Sequence, residues 1–275
     1  MRQINALIFT DLDGTLLDHF SYSSEAALPA IAQLQALQVP IIPTTSKTYA
    51  EVSQIVKSLN LTGPIIIENG AAIYLPLAMA KTFNLFDGNE QQSYQKISFT
   101  ENHAHWMQIL NQVESGFGEM YTSFTELGVD GIVETTGLCP EDAKLAANRE
   151  HGEPVVWHGT NEQKKLFIAA LTKLGANPVE GGRFIHVCGN CSKGAALNWL
   201  AEQYQQHICK TEVTTVALGD GNNDIAMLEV ASVAVRVRSP SHAYPELDRT
   251  ENVISTQSFG PEGWAEAINH IFSLN

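Results

Sequence analysis

Residues 4–10, Ile-Asn-Ala-Leu-Ile-Phe-Thr, form a short apolar run that stops abruptly at an acidic, glycine-containing turn, Asp11-Leu12-Asp13-Gly14-Thr15. A run this short, with no clean polar alternation, predicts a strand buried on both faces, the kind found in parallel sheets covered by helices. The downstream residues fit such a sheet. Leu28, Ile31, Leu34 and Leu37 recur at helical spacing, with Ser24 as a cap and Pro29 near the first turn. Residues 39–43 predict a second buried strand, and Tyr49, Val52, Ile55, Val56 and Leu59 a second helix. Residues 64–67, Pro-Ile-Ile-Ile, predict a third strand, with a turn after it at Asn69-Gly70. Strands alternating with helices imply a parallel sheet wound with right-handed crossovers.

The alternation lapses after about Pro76. The segment from there to about residue 186 is more polar and less regular, with turn signals at Asp87-Gly88, Gly116, Gly118, Gly128 and Gly181-Gly182. Helical patterns occur near 101–114, 140–150 and 161–174. The segment is too rich in aromatic and apolar residues for a flexible tether. Regular alternation returns with a helix over 193–206, a strand over 213–218, a loop from Gly219 to Asp224, and a last helix from about Glu262 to Ser273. The expected architecture is therefore α/β. A doubly wound parallel-sheet core (1–85 and 187–275) carries an inserted α+β cap domain (86–186).

The 275 residues are 44% hydrophobic and 17% charged, the composition of a globular protein and not of a disordered one. A formal net charge of -14 repels nucleic acid and anionic lipid, so neither is expected as a partner. No signal peptide and no bilayer-length apolar run are visible, so the chain reads as cytoplasmic, a monomer or dimer. The four cysteines, Cys139, Cys188, Cys191 and Cys209, are expected to be free thiols.

Two acidic turns fall at the C-terminal ends of predicted strands: Asp11 to Thr15, and Gly219-Asp220-Gly221-Asn222-Asn223-Asp224. That edge of an open parallel sheet is where ligands bind. Carboxylates converging there repel one another unless a cation lies between them, and a hard donor set beside a phosphate suits Mg²⁺. A carboxylate can attack phosphorus and become an aspartyl-phosphate, and Asp11 is placed for that. Asp13, two residues on, can act as general acid and then general base. Thr45 closes the second strand. Lys193 opens a helix whose N-terminal amides favour anions. Each feature alone is ordinary; their serial order at strand ends and helix starts is what carries weight.

These residues resemble the motifs of the haloacid dehalogenase superfamily of phosphohydrolases. Asp11-Leu12-Asp13-Gly14-Thr15 is similar to its first motif and Thr45 to its second. Lys193, in Ser192-Lys193-Gly194, matches the third, and Gly219 to Asp224 with Ile225-Ala226-Met227-Leu228 the fourth. The resemblance implies Asp11 as nucleophile and Asp13 as acid/base. It implies Mg²⁺ held by the Asp11 carboxylate, the Asp13 carbonyl and Asp220. Thr45 and Lys193 would hold the phosphate, with Asn223 as a further donor. Asp224 would support the metal through water or orient Lys193. It also places the insertion between the second and third motifs.

A narrower resemblance, to the mannosyl-3-phosphoglycerate phosphatases, rests on Ser46-Lys47-Thr48, Glu68-Asn69-Gly70-Ala71-Ala72, Thr136-Gly137-Leu138, Arg149 to Pro154 and Gly181 to His186. It implies a small phosphorylated sugar-glycerate substrate. Arg183 would meet the carboxylate, Asn69 and the Gly70 amide sugar or glycerate oxygens, and Lys47 either the phosphate or solvent. Another sugar phosphate, or the glucosyl compound, is the alternative substrate. His186 reads as a packed core histidine or a ligand. Cys188 and Cys191 have the spacing of a redox or zinc pair, but no second Cys or His pair completes a four-ligand site, which favours bystander thiols. His103 and His105 lie two apart and are expected to face solvent or cap a helix. Two rival functions differ in what happens to the phosphoryl group. A non-catalytic aspartyl-phosphate receiver would retain it, and a phosphomutase would return it to a sugar.

Overall fold

The computed structural model describes residues 5–89, 91–181 and 184–273. In chain order the strands are β1 (Ala6–Thr10), β2 (Ile41–Pro43), β3 (Ile65–Ile67), β4 (Ala72–Pro76), β5 (Tyr94–Ser98), β6 (Tyr121–Ser123), β7 (Gly152–Trp157), β8 (Val179–Gly181), β9 (Phe184–Cys188), β10 (Thr214–Gly219), β11 (Val233–Arg238) and β12 (Val253–Phe259). The helices are α1 (Leu28–Ala36), α2 (Tyr49–Ser58), α3 (Leu77–Thr82), α4 (His103–Phe117), α5 (Phe124–Thr136), α6 (Pro140–Ala146), α7 (Asn161–Lys173), α8 (Lys193–Tyr204), α9 (Ile225–Val230) and α10 (Gly260–Phe272). Two compact units are distinguished. The first collects the chain up to Ser46, Ile55–Ile97 and everything from Ser192; the second collects Lys47–Gln54 and Ser98–Cys191.

The first unit is built on a five-stranded parallel sheet ordered β12-β11-β10-β1-β2. All five residues of β1 are buried, as expected for a central strand. Its side chains alternate between the two faces. Leu7 and Phe9 join a core with Leu197 and Leu200 of α8 and Met227 of α9. Thr10 accepts a hydrogen bond at 3.0 Å from the indole of Trp264 in α10. Burial of both faces explains the unalternating apolar sequence of β1, and the architecture is the doubly wound α/β class.

The third strand departs from expectation. β3 does not extend the parallel ladder; it pairs antiparallel with β4 in a three-stranded sheet ordered β3-β4-β5. An isolated parallel bridge, Thr44 to Ile66, ties it to the chain beyond β2. Two local causes are visible. β2 ends at Pro43, which has no N–H for a ladder. Glu68, Asn69 and Gly70 all have positive φ (46°, 59° and 92°), which turns the chain back on itself.

The second unit is α+β. A four-stranded antiparallel sheet, β6-β7-β9-β8, is joined by α4 and α7. Trp106, Ile109, Leu110 and Val113 of α4 pack with Phe167 and Leu171 of α7 on Val155, Ile185 and Val187 of the sheet. The i, i+3, i+4, i+7 spacing on α4 is the pattern of one buried helix face. α5, which the sequence pattern does not predict, is broken at Gly128 (φ 60°), and the break disrupts its periodicity. His103 does not simply face solvent: its Nε2 lies 2.7 Å from the buried carboxylate of Glu153. Among the described residues the four cysteines form no disulfide, and Cys188 and Cys191 are buried. Among the described residues no helix is long and apolar enough to cross a membrane.

Candidate active site

Parallel pairing of β1 with β10 puts Thr10 opposite Leu218, so the two acidic turns leave the sheet side by side. The Asp11 amide donates to the Leu218 carbonyl at 2.9 Å, which ties one turn to the end of β10. Asp11, Asp220 and Asp224 then converge, with one carboxylate oxygen from each lying within 4.8 Å of the others. Among the described residues this is the one cluster of three or more acidic, His or Cys side chains able to hold a metal ion.

Lys193, the first residue of α8, brings a buried ammonium into the cluster. Its Nζ lies 2.6 Å from Asp11 Oδ1 and 2.6 Å from Asp224 Oδ1, and its side chain is fully buried. Burial alone would push the ammonium toward neutrality; the Asp11 and Asp224 carboxylates outweigh it and raise its pKa. One cation serves three carboxylates, and the shortfall shows in the acids. Burial, then the charge of Asp11, pushes Asp220 up to about 6, against the opposing pull of His242, Thr15 and Lys193. Asp224 is raised by the same two causes, opposed by Lys193. A site that holds acids above their ordinary range while every donor is a hard oxygen suits a divalent cation. The residues present therefore fit a metal ion.

The surrounding turn fits the same picture. Thr15 Oγ1 donates to Asp220 Oδ1 at 3.1 Å, and the Gly221 amide to Asp224 Oδ2 at 3.0 Å. Gly14 has φ +77°, and a Cβ there would fall 2.6 Å from Asp220 Oδ2. The turn can press this closely on Asp220 only because residue 14 has no side chain. Gly70 packs likewise: a Cβ would collide with the Ser192 carbonyl, next to Lys193.

Thr45 is buried just beyond β2; its amide donates to the Ile66 carbonyl at 3.1 Å and its carbonyl accepts from the Asn69 amide at 2.9 Å. Asn223 reaches Asn69, with Nδ2 3.5 Å from Oδ1. Asp13 is half-buried on the turn between Asp11 and Gly14. Lys47 belongs to the second unit, where its ammonium lies 3.5 Å from Glu51 and its side chain is 13% exposed, so a solvated surface charge does not describe it. Arg183 lies outside the described residues. His186 has a buried Nδ1, and burial holds its pKa down at about 3. Sequence reasoning missed His242, whose Nε2 lies 3.3 Å from Asp220 Oδ2. It sits in a loop with no motif, so nothing in the sequence marked it.

The profile of the haloacid dehalogenase-like hydrolases matches residues 8–81 and 179–244, the two stretches that carry these turns. A glucosyl-3-phosphoglycerate/mannosyl-3-phosphoglycerate phosphatase of Methanococcoides burtonii is 36% identical over 270 residues, which is 98% of each chain. The chain belongs to the haloacid dehalogenase-like hydrolases. Solved structures share the fold of this family member along nearly its whole length. A phosphatase of the haloalkanoate enzyme superfamily from Bacteroides thetaiotaomicron superposes with a TM-score of 0.66 at 17% identity, covering 100% of this chain and 97% of the other. The sucrose-phosphatase of Synechocystis gives a TM-score of 0.62 at 17% identity, covering 99% of each.

Proposed function

We propose that this protein is a Mg²⁺-dependent phosphatase that hydrolyses a glycosyl-3-phosphoglycerate, with the mannosyl compound as the first candidate and the glucosyl compound as the second. One observation carries the chemistry: Lys193 neutralises only part of a carboxylate cluster at the sheet edge, leaving negative charge that a divalent cation would offset. Kinship to the M. burtonii phosphatase over the whole chain supports the substrate class.

Asp11 is the nucleophile. Lys193 holds Asp11 Oδ1 and leaves the second oxygen to attack phosphorus. The P–O bond to the glycerate breaks as the aspartyl-phosphate forms, and Asp13 gives its proton to the departing oxygen. Asp13, now a carboxylate, takes a proton from water, which attacks the same phosphorus; phosphate leaves and Asp11 is restored. Asp11, the Asp13 carbonyl, Asp220 and Asp224 would hold Mg²⁺, which when bound offsets the repulsion between the attacking carboxylate and the phosphoryl oxygens. Thr45, Lys193 and Asn223 cradle the phosphate. Substrate selection is assigned to the cap, residues 86–186, and substrate contacts to Lys47, Asn69, Gly70 and Arg183. The chain works in the cytoplasm on a free small molecule.

Phosphate release from mannosyl- and glucosyl-3-phosphoglycerate with Mg²⁺ tests this, ranked by kcat/KM against simple sugar phosphates. Many turnovers on a glycosyl-3-phosphoglycerate support the reading. A single stoichiometric phosphorylation would instead indicate a receiver, and isomerisation without net phosphate release a phosphomutase.

A further inference from the structure

The turn Glu68-Asn69-Gly70 reaches each of the residues to which phosphate binding is assigned. The Asn69 main-chain amide donates to the Thr45 carbonyl at 2.9 Å. Gly70 packs so closely on the chain at Ser192 that a Cβ would lie 2.9 Å from the Lys193 amide nitrogen. The side-chain Oδ1 of Asn69 accepts from Asn223 Nδ2 at 3.5 Å. All of these residues belong to the first unit.

The backbone of this turn is strained. Glu68 and Asn69 have φ of 46° and 59°, in the left-handed region that residues with a side chain avoid. Two such residues in succession persist only where the surroundings hold them, and strain of this kind concentrates at functional sites. The hydrogen bond to Thr45 and the close approach to Ser192 hold this turn. Asn69 therefore presents its carboxamide from a fixed base.

Asn223 needs such a partner. A carboxamide offers a donor at one end and an acceptor at the other, and only the donor end suits a phosphoryl oxygen. Its Oδ1 is turned back on its own turn, where a Cβ on Gly221 would lie 2.7 Å from it. Its Nδ2 faces Asn69 Oδ1, an oxygen that can only accept. One N–H of the Asn223 amide is thus engaged, in an orientation that leaves the second for a ligand oxygen. Both side chains are half-buried, so a ligand can reach them.

We propose that Asn69 is a positioning residue: its side-chain carbonyl sets the Asn223 amide so that Nδ2 donates to the phosphoryl group. The inference rests on the assignment of Asn223 to the phosphate.

Asn69→Gly tolerates the left-handed backbone, keeps the main-chain amide that meets Thr45, and removes only the carboxamide. Inorganic phosphate is the probe, because it lacks the sugar and glycerate oxygens that Asn69 would also meet. Titration calorimetry with Mg²⁺ on the wild type, Asn69→Gly, Asn223→Ala and the double variant closes a mutant cycle. Each single substitution should raise the phosphate Kd about tenfold, and the double variant should be no weaker than Asn223→Ala, because Asn69 acts through Asn223. The Tm of Asn69→Gly should stay within about 2 °C of the wild type, which separates positioning from folding. A double variant weakened about a hundredfold, an Asn69→Gly that binds as the wild type does, or a wild type that binds no phosphate overturns the proposal. Turnover of a glycosyl-3-phosphoglycerate, measured on the same proteins, separates the two readings. Turnover beside any of those results keeps the proposed function and sinks this inference; the expected cycle without turnover does the reverse.

Discussion

The ammonium of Lys193 and the carboxylate of Asp224 meet at 2.6 Å with neither side chain exposed to solvent. A buried pair of this kind is costly to break, because the partner left behind keeps its charge without compensation. Here the same ammonium also holds Asp11, so Lys193 links the proposed nucleophile to the second acidic turn.

Lys193→Met should therefore destabilise the fold by about 3–5 kcal/mol in the absence of metal and abolish turnover. Adding Asp224→Asn should return much of the stability, because it removes one of the orphaned charges, but none of the activity. Urea unfolding of the wild type, the two single variants and the double variant measures the coupling. Additive losses would show that the pair is energetically unimportant.

The carboxylate cluster should contribute less to the stability of the metal-free protein as pH rises. Asp220 has a folded-state pKa of about 6 against an ordinary value of 3.8. In that window the folded state binds more protons than the unfolded state, so stability falls with increasing pH. Asp224 acts in the same direction. In EDTA, Asp220→Asn should be more stable than the wild type above about pH 6, and the gap should close below about pH 4. Excess Mg²⁺ should reverse the order at neutral pH and restore the turnover that EDTA removes. Tm measured across pH with and without Mg²⁺ checks both statements.

Gly14→Ala should damage the site beyond its backbone strain. The positive φ costs about 1–2 kcal/mol for a residue with a side chain. In addition the new methyl would press on Asp220 Oδ2, 2.6 Å away. The expected result is a weakened response to Mg²⁺ and a fall in kcat larger than the stability loss explains. Mg²⁺ titration of activity, set beside urea unfolding, separates the two effects.

Much of the molecule was legible in the sequence, and the reasons differ by element. β1 could be read because burial on both faces leaves an unbroken apolar run, and its end marks Asp11. α8 could be read from its apolar spacing, and its first residue is Lys193. β11 and β12 were missed because charged and polar residues interrupt them. Arg236 is held by Ser255 and lies 5.3 Å from the Tyr244 ring, while Arg238 lies 4.7 Å from Phe259. Such partners are made in the folded chain and leave no periodic trace. The reversal after β3 depends on left-handed backbone at Glu68 and Asn69, which only Asn69-Gly70 hinted at. His242 reaches Asp220 from a loop, a contact that no spacing rule predicts.

Trp264 extends the site into the core. Its indole donates to Thr10 Oγ1, which donates at 2.7 Å to the Asp11 carbonyl. Trp264→Phe keeps most of the packing and removes the first donor. It should cost about 1 kcal/mol of stability and lower kcat with KM unchanged. An equal change in KM would argue against a role in positioning Asp11.

The most direct measurement is chemical capture on the proposed nucleophile. The protein is mixed with substrate carrying labelled phosphate, quenched in acid within one turnover, digested, and sequenced by mass spectrometry. Hydroxylamine-labile label on Asp11, absent from Asp11→Asn, is the expected outcome. Label on another residue, or phosphate release over many turnovers by Asp11→Asn, would contradict it.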